Sequence, residues 1–239
     1  ELERRAKSQG VKDPGTIDVI HLVLQDAGLK DILVPPTFPF LHASRLQEMG
    51  YRLRTKRDPF YEQRVMKSDE EVRHIEAAQR ATETAVAAAH QHLRRAEIRD
   101  NVLWLDGEIL TSERVKKLIN VALMECDCVA QHTIVAGGEQ ACDPHDEGSG
   151  PLPAHRSIIF DVFPRSAGTR YFADMSRTVV RGTPSPELTR LYHAVKDAQE
   201  EAITKIRDGA DGAAIHQGIC DRFEKAGYKT GLVNGRMQG

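Results

Sequence analysis

The segment 157–181 constrains the fold of this chain more than any other stretch. Residues 157–163 form a short apolar run, and residues 171–181 are rich in β-branched and aromatic side chains. The segment 164–168 between them contains the proline and the glycine that are typical of a turn. The pattern therefore predicts a β-hairpin.

Each strand of the predicted hairpin carries one aspartate, Asp161 or Asp174. If the centre of the hairpin lies between Ala167 and Gly168, the two aspartates are directly opposite, with Cβ atoms roughly 5 Å apart. Two carboxylates at this distance repel each other and resist removal from water, so we expect a positive charge between them. A divalent metal ion, or a pair of ions, is the simplest source of that charge. The alternative is that each aspartate ends a strand or caps a turn, which is the better interpretation of a single aspartate.

The residues around the two aspartates resemble the first metal-binding hairpin of the M24 peptidases. The matching stretches are Phe-Asp-Val-Phe-Pro-Arg at 160–165 and Gly-Thr-Arg-Tyr-Phe-Ala-Asp-Met-Ser-Arg-Thr-Val-Val-Arg-Gly at 168–182. The family comprises methionine aminopeptidase, aminopeptidase P, prolidase and the metal-free creatinase. The resemblance covers about residues 64–239.

The resemblance implies a pita-bread fold, with two divalent metal ions (manganese, cobalt or zinc) held in the peptidases by two Asp, one His and two Glu. It maps Asp161 and Asp174 onto the two Asp ligands. It gives His145, in the loop after a strand that ends in glycine, a catalytic role in contacting the substrate and moving protons, work that suits imidazole because it titrates near neutral pH. Arg177 would brace one of the ligand carboxylates, and an ordinary strand-edge salt bridge is an equally weighted alternative.

The composition excludes several classes of protein. The formal net charge of −2 on 239 residues provides no basic surface for nucleic acid. No apolar run approaches the length of a membrane span. The four cysteines show neither CxxC spacing nor a dense framework, which predicts a reduced, cytoplasmic protein.

The sequence predicts an α+β chain with two parts. Residues 1–62 alternate helical and strand patterns and resemble the C-terminal part of the creatinase-type N-terminal α/β domain found in prolidases. Residues 63–239 are predicted to form the N-terminal half of a pita-bread catalytic domain. This part opens with a long amphipathic helix of about eight turns after Ser68, on which His90 is expected at the surface.

The expected ligand set is incomplete in this sequence. In the family the ligand His follows a loop similar to residues 236–239, and the two ligand Glu come later still. None of these three expected ligands is found in this sequence. We therefore expect a piece of a longer protein, with apolar sheet and helix surfaces exposed, and a homodimer as the state that covers them.

The leading hypothesis is a metal-dependent peptidase that hydrolyses Xaa-Pro bonds in dipeptides or at peptide N-termini. The two ions would polarise the scissile carbonyl and activate a bridging hydroxide. One alternative is a catalytically inactive pita-bread protein that acts in binding or assembly. Another is a metal-free creatinase-like amidinohydrolase, against which both aspartates count because such enzymes tend to lack them.

Overall fold

The computed structural model describes residues 1–229, 231–233 and 236–238. The contacts divide the chain into two compact units, 1–70 and 71–239. This division falls eight residues after the predicted one. The intervening residues include the 3₁₀ turn Glu62–Val65, which an ion pair of 2.8 Å between Lys56 Nζ and Glu62 Oε1 links to the first unit. In the described part of the chain, none of the helices combines the length and the apolar composition that crossing a bilayer requires.

The first unit alternates helices and strands, as predicted. Its elements are α1 (Leu2–Ser8), α2 (Thr16–Asp26), β1 (Asp31–Val34), α3 (Phe40–Glu48) and β2 (Arg52–Thr55). The two strands pair in parallel. A small core joins the helices to this pair and contains Ile17, Leu24, Leu46 and Tyr51.

In the part of the chain that the structure describes, the second unit is built from one long helix, a set of short strands and three further helices. Its elements, with the helix that leads into it, are α4 (Asp69–Arg95), β3 (Glu97–Arg99), β4 (Val102–Leu105), β5 (Glu108–Ile109), α5 (Ser112–Glu125), β6 (Cys128–Val129), β7 (Ile134–Gly137), β8 (Ser157–Val162), β9 (Arg165–Ser166), β10 (Met175–Val180), α6 (Pro186–Lys205), α7 (Gly212–Lys225), β11 (Gly231–Val233) and β12 (Arg236–Gln238). The predicted long helix is confirmed as the 27 residues of α4.

The central sheet has the strand order β10–β8–β7, and both pairs are antiparallel. One face of β8 is fully buried, because Ile158, Phe160 and Val162 each have 0% of their surface exposed. Burying a side chain of this size contributes about 1.5–3 kcal/mol. The residues of the same core that come from α4 and α5 include Ala85, Ala89, Leu93, Val115, Ile119 and Leu123.

Helix α6 exposes a large apolar surface. Among its residues only Ala198 is buried, whereas Leu191, Val195 and Ile203 are between 40% and 60% exposed. The sequence-based expectation of an exposed apolar helix surface is therefore confirmed.

A hydrogen bond and a close backbone contact hold the loop between β7 and β8 against β7. The amide of Val135 donates to the carbonyl of Glu147 at 3.1 Å, and the hydroxyl of Ser112 donates to the carbonyl of Val135 at 2.7 Å. Gly148 has a φ of +77°, and a Cβ atom at this position would lie 1.9 Å from the carbonyl oxygen of Val135. Only glycine fits this close approach.

Replacing Gly148 with Ala is expected to lower the free energy of unfolding by at least the ~1–3 kcal/mol typical of a side chain forced into the left-handed region. The contact with the β7 backbone adds to this cost. Urea unfolding followed by circular dichroism measures the change.

The matched control is Gly212→Ala. Gly212 has no neighbour within 4 Å of the position of a Cβ atom and lies at the start of α7, so alanine is expected to be neutral or to stabilise by at most about 1 kcal/mol. Equal effects of the two substitutions would show that the loop does not depend on the close approach of Gly148.

Candidate metal centre

The predicted hairpin exists, but its register differs from the predicted one. β8 and β10 pair antiparallel, and Asp161 lies opposite Ser176, not opposite Asp174. The prediction that the two aspartates face each other directly is therefore wrong.

The position of the turn explains the difference. The amide of Ser166 donates to the carbonyl of Tyr171 at 2.9 Å, so the turn comprises residues 167–170 and the hairpin centre lies between Gly168 and Thr169. This centre is one residue later than predicted, which moves every partner by two residues. Arg170, with a φ of +67°, takes the left-handed position of the turn. Pairing of β9 with β6, with Ser166 opposite Cys128, fixes the turn from outside the hairpin.

The two aspartates still lie on one face of the sheet. A shift of two residues preserves the face because side chains alternate with a period of two. If the ladder is extended past Met175, Asp174 is the diagonal neighbour of Asp161, at a typical separation of about 7 Å. Partial burial and the negative charge of Asp161 raise the pKa of Asp174. The electrostatic repulsion expected from the sequence is therefore present.

The residue that faces Asp161 is a hydrogen-bond donor. The hydroxyl of Ser176 donates to Asp161 Oδ1 at 2.6 Å. On the other side of β8, Asp161 is paired with Ile134 of β7. One carboxylate oxygen is thus held by a hydroxyl on the open face of the sheet.

A cleft of about 570 Å³ lies over this face. Its floor consists of apolar residues of β7 and β8 together with Asp161, and the segment 141–144 of the β7–β8 loop forms its wall. The carboxylates of Asp143 and Asp161 are the charged groups in the lining. The complete lining is Ile134, Ala136, Ala141, Cys142, Asp143, Pro144, Ile159, Asp161, Ser176 and Thr178.

Several contacts hold the cleft wall in place. Gln140 and Ser149 exchange hydrogen bonds, from Gln140 Nε2 to the Ser149 carbonyl and from the Ser149 amide to Gln140 Oε1, both at 3.2 Å. The amide of Gly150 donates to Glu113 at 3.0 Å, and this bond lowers the pKa of Glu113. The wall is therefore anchored to helix α5.

His145 follows the cleft wall directly. Its backbone amide donates to Asp143 Oδ1 at 2.9 Å, and its Nδ1 atom lies 3.9 Å from the same oxygen. The side chain is 86% exposed. The predicted role in substrate contact stays a prediction, and the fold places the imidazole one residue beyond Pro144 of the lining.

Arg177 lies on the opposite face of β10 from Ser176. It is paired with Phe160 of the buried face, and its guanidinium donates to the carbonyl of Ser176 at 2.8 Å. The described structure does not bring Arg177 to the two carboxylates, so its bracing role stays a prediction.

His90 is not the surface histidine expected from the sequence. Its ring packs on Phe160 with centroids 5.6 Å apart, and its Nε2 atom is buried without a hydrogen-bond partner among the described residues. Burial, followed by the charges of Arg94 and Arg177, lowers the pKa of His90. The amphipathic pattern of α4 gave no signal for this contact because His90 is not one of the apolar residues that define the buried side of the helix.

The carboxylate pair has the chemistry that a hard divalent cation prefers. Oxygen ligands with negative charge suit ions such as Mn²⁺, and a cation between the two groups removes their repulsion. Asp161 and Asp174 supply two carboxylates, and no cluster of three or more His, Cys, Asp or Glu with metal-binding geometry occurs in the described part of the chain. The residues present therefore fit part of a metal centre.

Residues 73–237 match the model of metallopeptidase family M24. The chain belongs to this family. An uncharacterised peptidase of Staphylococcus epidermidis is 29% identical over 167 residues, which cover 69% of this chain and 44% of the relative. A Xaa-Pro dipeptidase of Lactobacillus helveticus is 33% identical over 100 residues, 40% of this chain and 26% of the relative. The chain spans less than half the length of these curated relatives.

Solved M24 structures share the fold. The Xaa-Pro dipeptidase from Bacillus anthracis superposes with a TM-score of 0.78 at 18% identity, covering 97% of this chain and 64% of the other. The X-Pro aminopeptidase from Thermotoga maritima gives a TM-score of 0.73 at 22% identity, covering 91% and 59%. At these identities the likeness shows the fold alone, and it confirms the predicted pita-bread class.

Sequence reasoning missed Ser176 and the cleft wall. The signal for Ser176 is its position two residues after Asp174, which becomes informative only once the turn is placed at residues 167–170. Cys142 and Asp143 belong to a polar loop that is indistinguishable from a solvated loop in sequence.

Asp174→Asn is expected to stabilise the metal-free chain at pH 7 by less than about 1 kcal/mol, because exposed charges are partly screened. The pKa of Asp174 is raised in the folded state, so ionisation of this carboxyl group lowers the free energy of unfolding at pH values above that pKa. This destabilisation disappears as the pH falls through the ordinary pKa of 3.8, because the group is then protonated in both states. Urea unfolding at pH 7 and at pH 4 should show a gain that shrinks at the lower pH.

Asp208→Asn, which removes an exposed carboxyl group between α6 and α7, is the control and is expected to leave stability nearly unchanged. A loss of stability in Asp174→Asn at pH 7 would contradict the repulsion between the two aspartates.

Proposed function

We propose that this chain is part of a metal-dependent peptidase that hydrolyses Xaa-Pro bonds in dipeptides or at peptide N-termini. The observation that carries the proposal is the pair Asp161 and Asp174 on one open sheet face of an M24 chain, close enough for the charge of one to raise the pKa of the other. Among the described residues, no Lys or Arg side chain lines the cleft beside Asp161. A divalent ion would satisfy both carboxylates.

The relatives support the choice of substrate. The similar proteins include a Xaa-Pro dipeptidase of Lactobacillus helveticus and Xaa-Pro aminopeptidase 1 of Streptomyces coelicolor, the latter 32% identical over 143 residues. The same names recur among the structural neighbours. Peptides with proline after the scissile bond are therefore the first substrates to test.

In this proposal Asp161 and Asp174 would hold two divalent ions, manganese, cobalt or zinc, together with ligands other than the described residues. Such ions polarise a carbonyl group and activate water for hydrolysis. The apolar floor formed by Ile134, Ala136 and Ile159 receives a side chain of the peptide and keeps water from it. His145, with its exposed imidazole, contacts the substrate and transfers a proton.

The test has two stages. Calorimetric titration of the full chain with Mn²⁺ should show binding, and thermal unfolding should shift upward by the equivalent of about 2.7 kcal/mol at a hundredfold excess over Kd. Asp161→Asn should abolish both effects, whereas Asp208→Asn should preserve them. The complete gene product should then hydrolyse a Xaa-Pro dipeptide in preference to the matching Xaa-Ala dipeptide.

In that complete protein, Asp161→Asn is expected to reduce metal-dependent turnover by more than about 100-fold, beyond the loss typical of residues that only support a ligand. Retained turnover in this variant would contradict the proposal. Peptide binding without turnover or metal binding would favour a catalytically inactive relative instead. The predicted homodimer stays a prediction that sedimentation of the same sample can test.

A further inference from the structure

A side-chain hydrogen bond joins Ser176 and Asp161 on the open face of the sheet. The hydroxyl-to-carboxylate distance of 2.6 Å is short, as expected for a hydrogen bond to a charged acceptor. The bond joins two side chains across neighbouring strands, and the backbone ladder of β8 and β10 does not require it.

We propose that Ser176 is a positioning residue that holds the carboxylate of Asp161 in the orientation needed to bind a divalent ion. This inference rests on the metal-dependent function proposed above and assigns a role within it to a residue outside the predicted ligand set.

The register gives Ser176 this position. Ser176 is the direct partner of Asp161, and Asp174 and Thr178 are the residues on either side of it on the same face of β10. The hydroxyl therefore lies on the same face as the Asp161 carboxylate and directly beside it. A residue on the other face, such as Arg177, does not reach this carboxylate.

The bond leaves the carboxylate able to bind an ion. An ionised carboxylate has about four lone-pair sites on two oxygens, and a single hydroxyl donor occupies one of them. The hydroxyl contacts Oδ1, so Oδ2 and the second lone pair of Oδ1 remain. A serine hydroxyl also adds no charge that would compete with the ion.

The bond restricts the rotation of the Asp161 side chain. The hydroxyl of Ser176 donates to Oδ1 at 2.6 Å and holds that oxygen toward β10. Hydrogen bonds that orient a ligand in this way typically change metal affinity by about 10–100-fold when they are removed.

The test is calorimetric titration of the full chain with Mn²⁺ for the wild type and three variants. Ser176→Ala removes the donor and is expected to raise Kd by about 10–100-fold. Ser176→Thr keeps a hydroxyl group and is expected to retain most of the affinity.

Thr178→Ala is the matched control. Thr178 is two residues further along the same face, and its hydroxyl group makes no hydrogen bond to Asp161 among the described contacts. Its removal is expected to leave Kd unchanged. Circular dichroism of the metal-free variants checks that each one is folded, which the exposed position of Ser176 favours.

The outcomes separate the two proposals. If the wild type binds Mn²⁺ and Ser176→Ala binds it equally well, the positioning role is overturned while the metal site stands. If Ser176→Ala only lowers the unfolding temperature of the metal-free chain, the bond merely supports the hairpin and the inference is also overturned. If the wild type does not bind the ion, both proposals fail together.

Discussion

The alternation of side chains along β8 is the constraint on which the rest of this structure depends. Ile158, Phe160 and Val162 are completely buried against α4 and α5, so the residues between them must face the other way. Asp161 is therefore held on the open face by the burial of its two neighbours. A carboxylate placed by core packing in this manner cannot move to the other face unless the core is lost.

The register of the hairpin determines which groups meet Asp161. The turn at residues 167–170, fastened by the pairing of Ser166 with Cys128, places Ser176 opposite Asp161 and Asp174 on the diagonal. The hydroxyl of Ser176 donates a hydrogen bond to the carboxylate of Asp161, and the carboxylate of Asp174 repels it. This combination of a fixed orientation with unrelieved negative charge is what a cation site requires before the cation arrives.

The sequence was sufficient for the type and order of the main elements near the site. The length of α4, the hairpin and the shared face of the two aspartates follow from local patterns of apolar and polar residues. The register does not follow from them. Gly168 is the residue that turn chemistry favours for a left-handed conformation, yet Arg170 adopts it, because the contact between β6 and β9 decides where the turn falls.

The surroundings of the site depend even more on distant parts of the chain. Burial of His90 against Phe160 joins residues 70 positions apart, and the cleft wall at 141–144 is placed by anchors on α5. The close approach of Gly148 to Val135 is equally invisible in the sequence, since nothing local separates this glycine from the others of the loop. These features arise from tertiary packing, which single-residue preferences do not encode.

The most direct test of this account is anomalous diffraction from crystals of the chain grown with Mn²⁺. The account predicts an anomalous peak within coordination distance of the carboxylates of both Asp161 and Asp174, with the hydrogen bond from Ser176 to Asp161 retained. Manganese bound elsewhere, with both carboxylates still facing solvent, would contradict it.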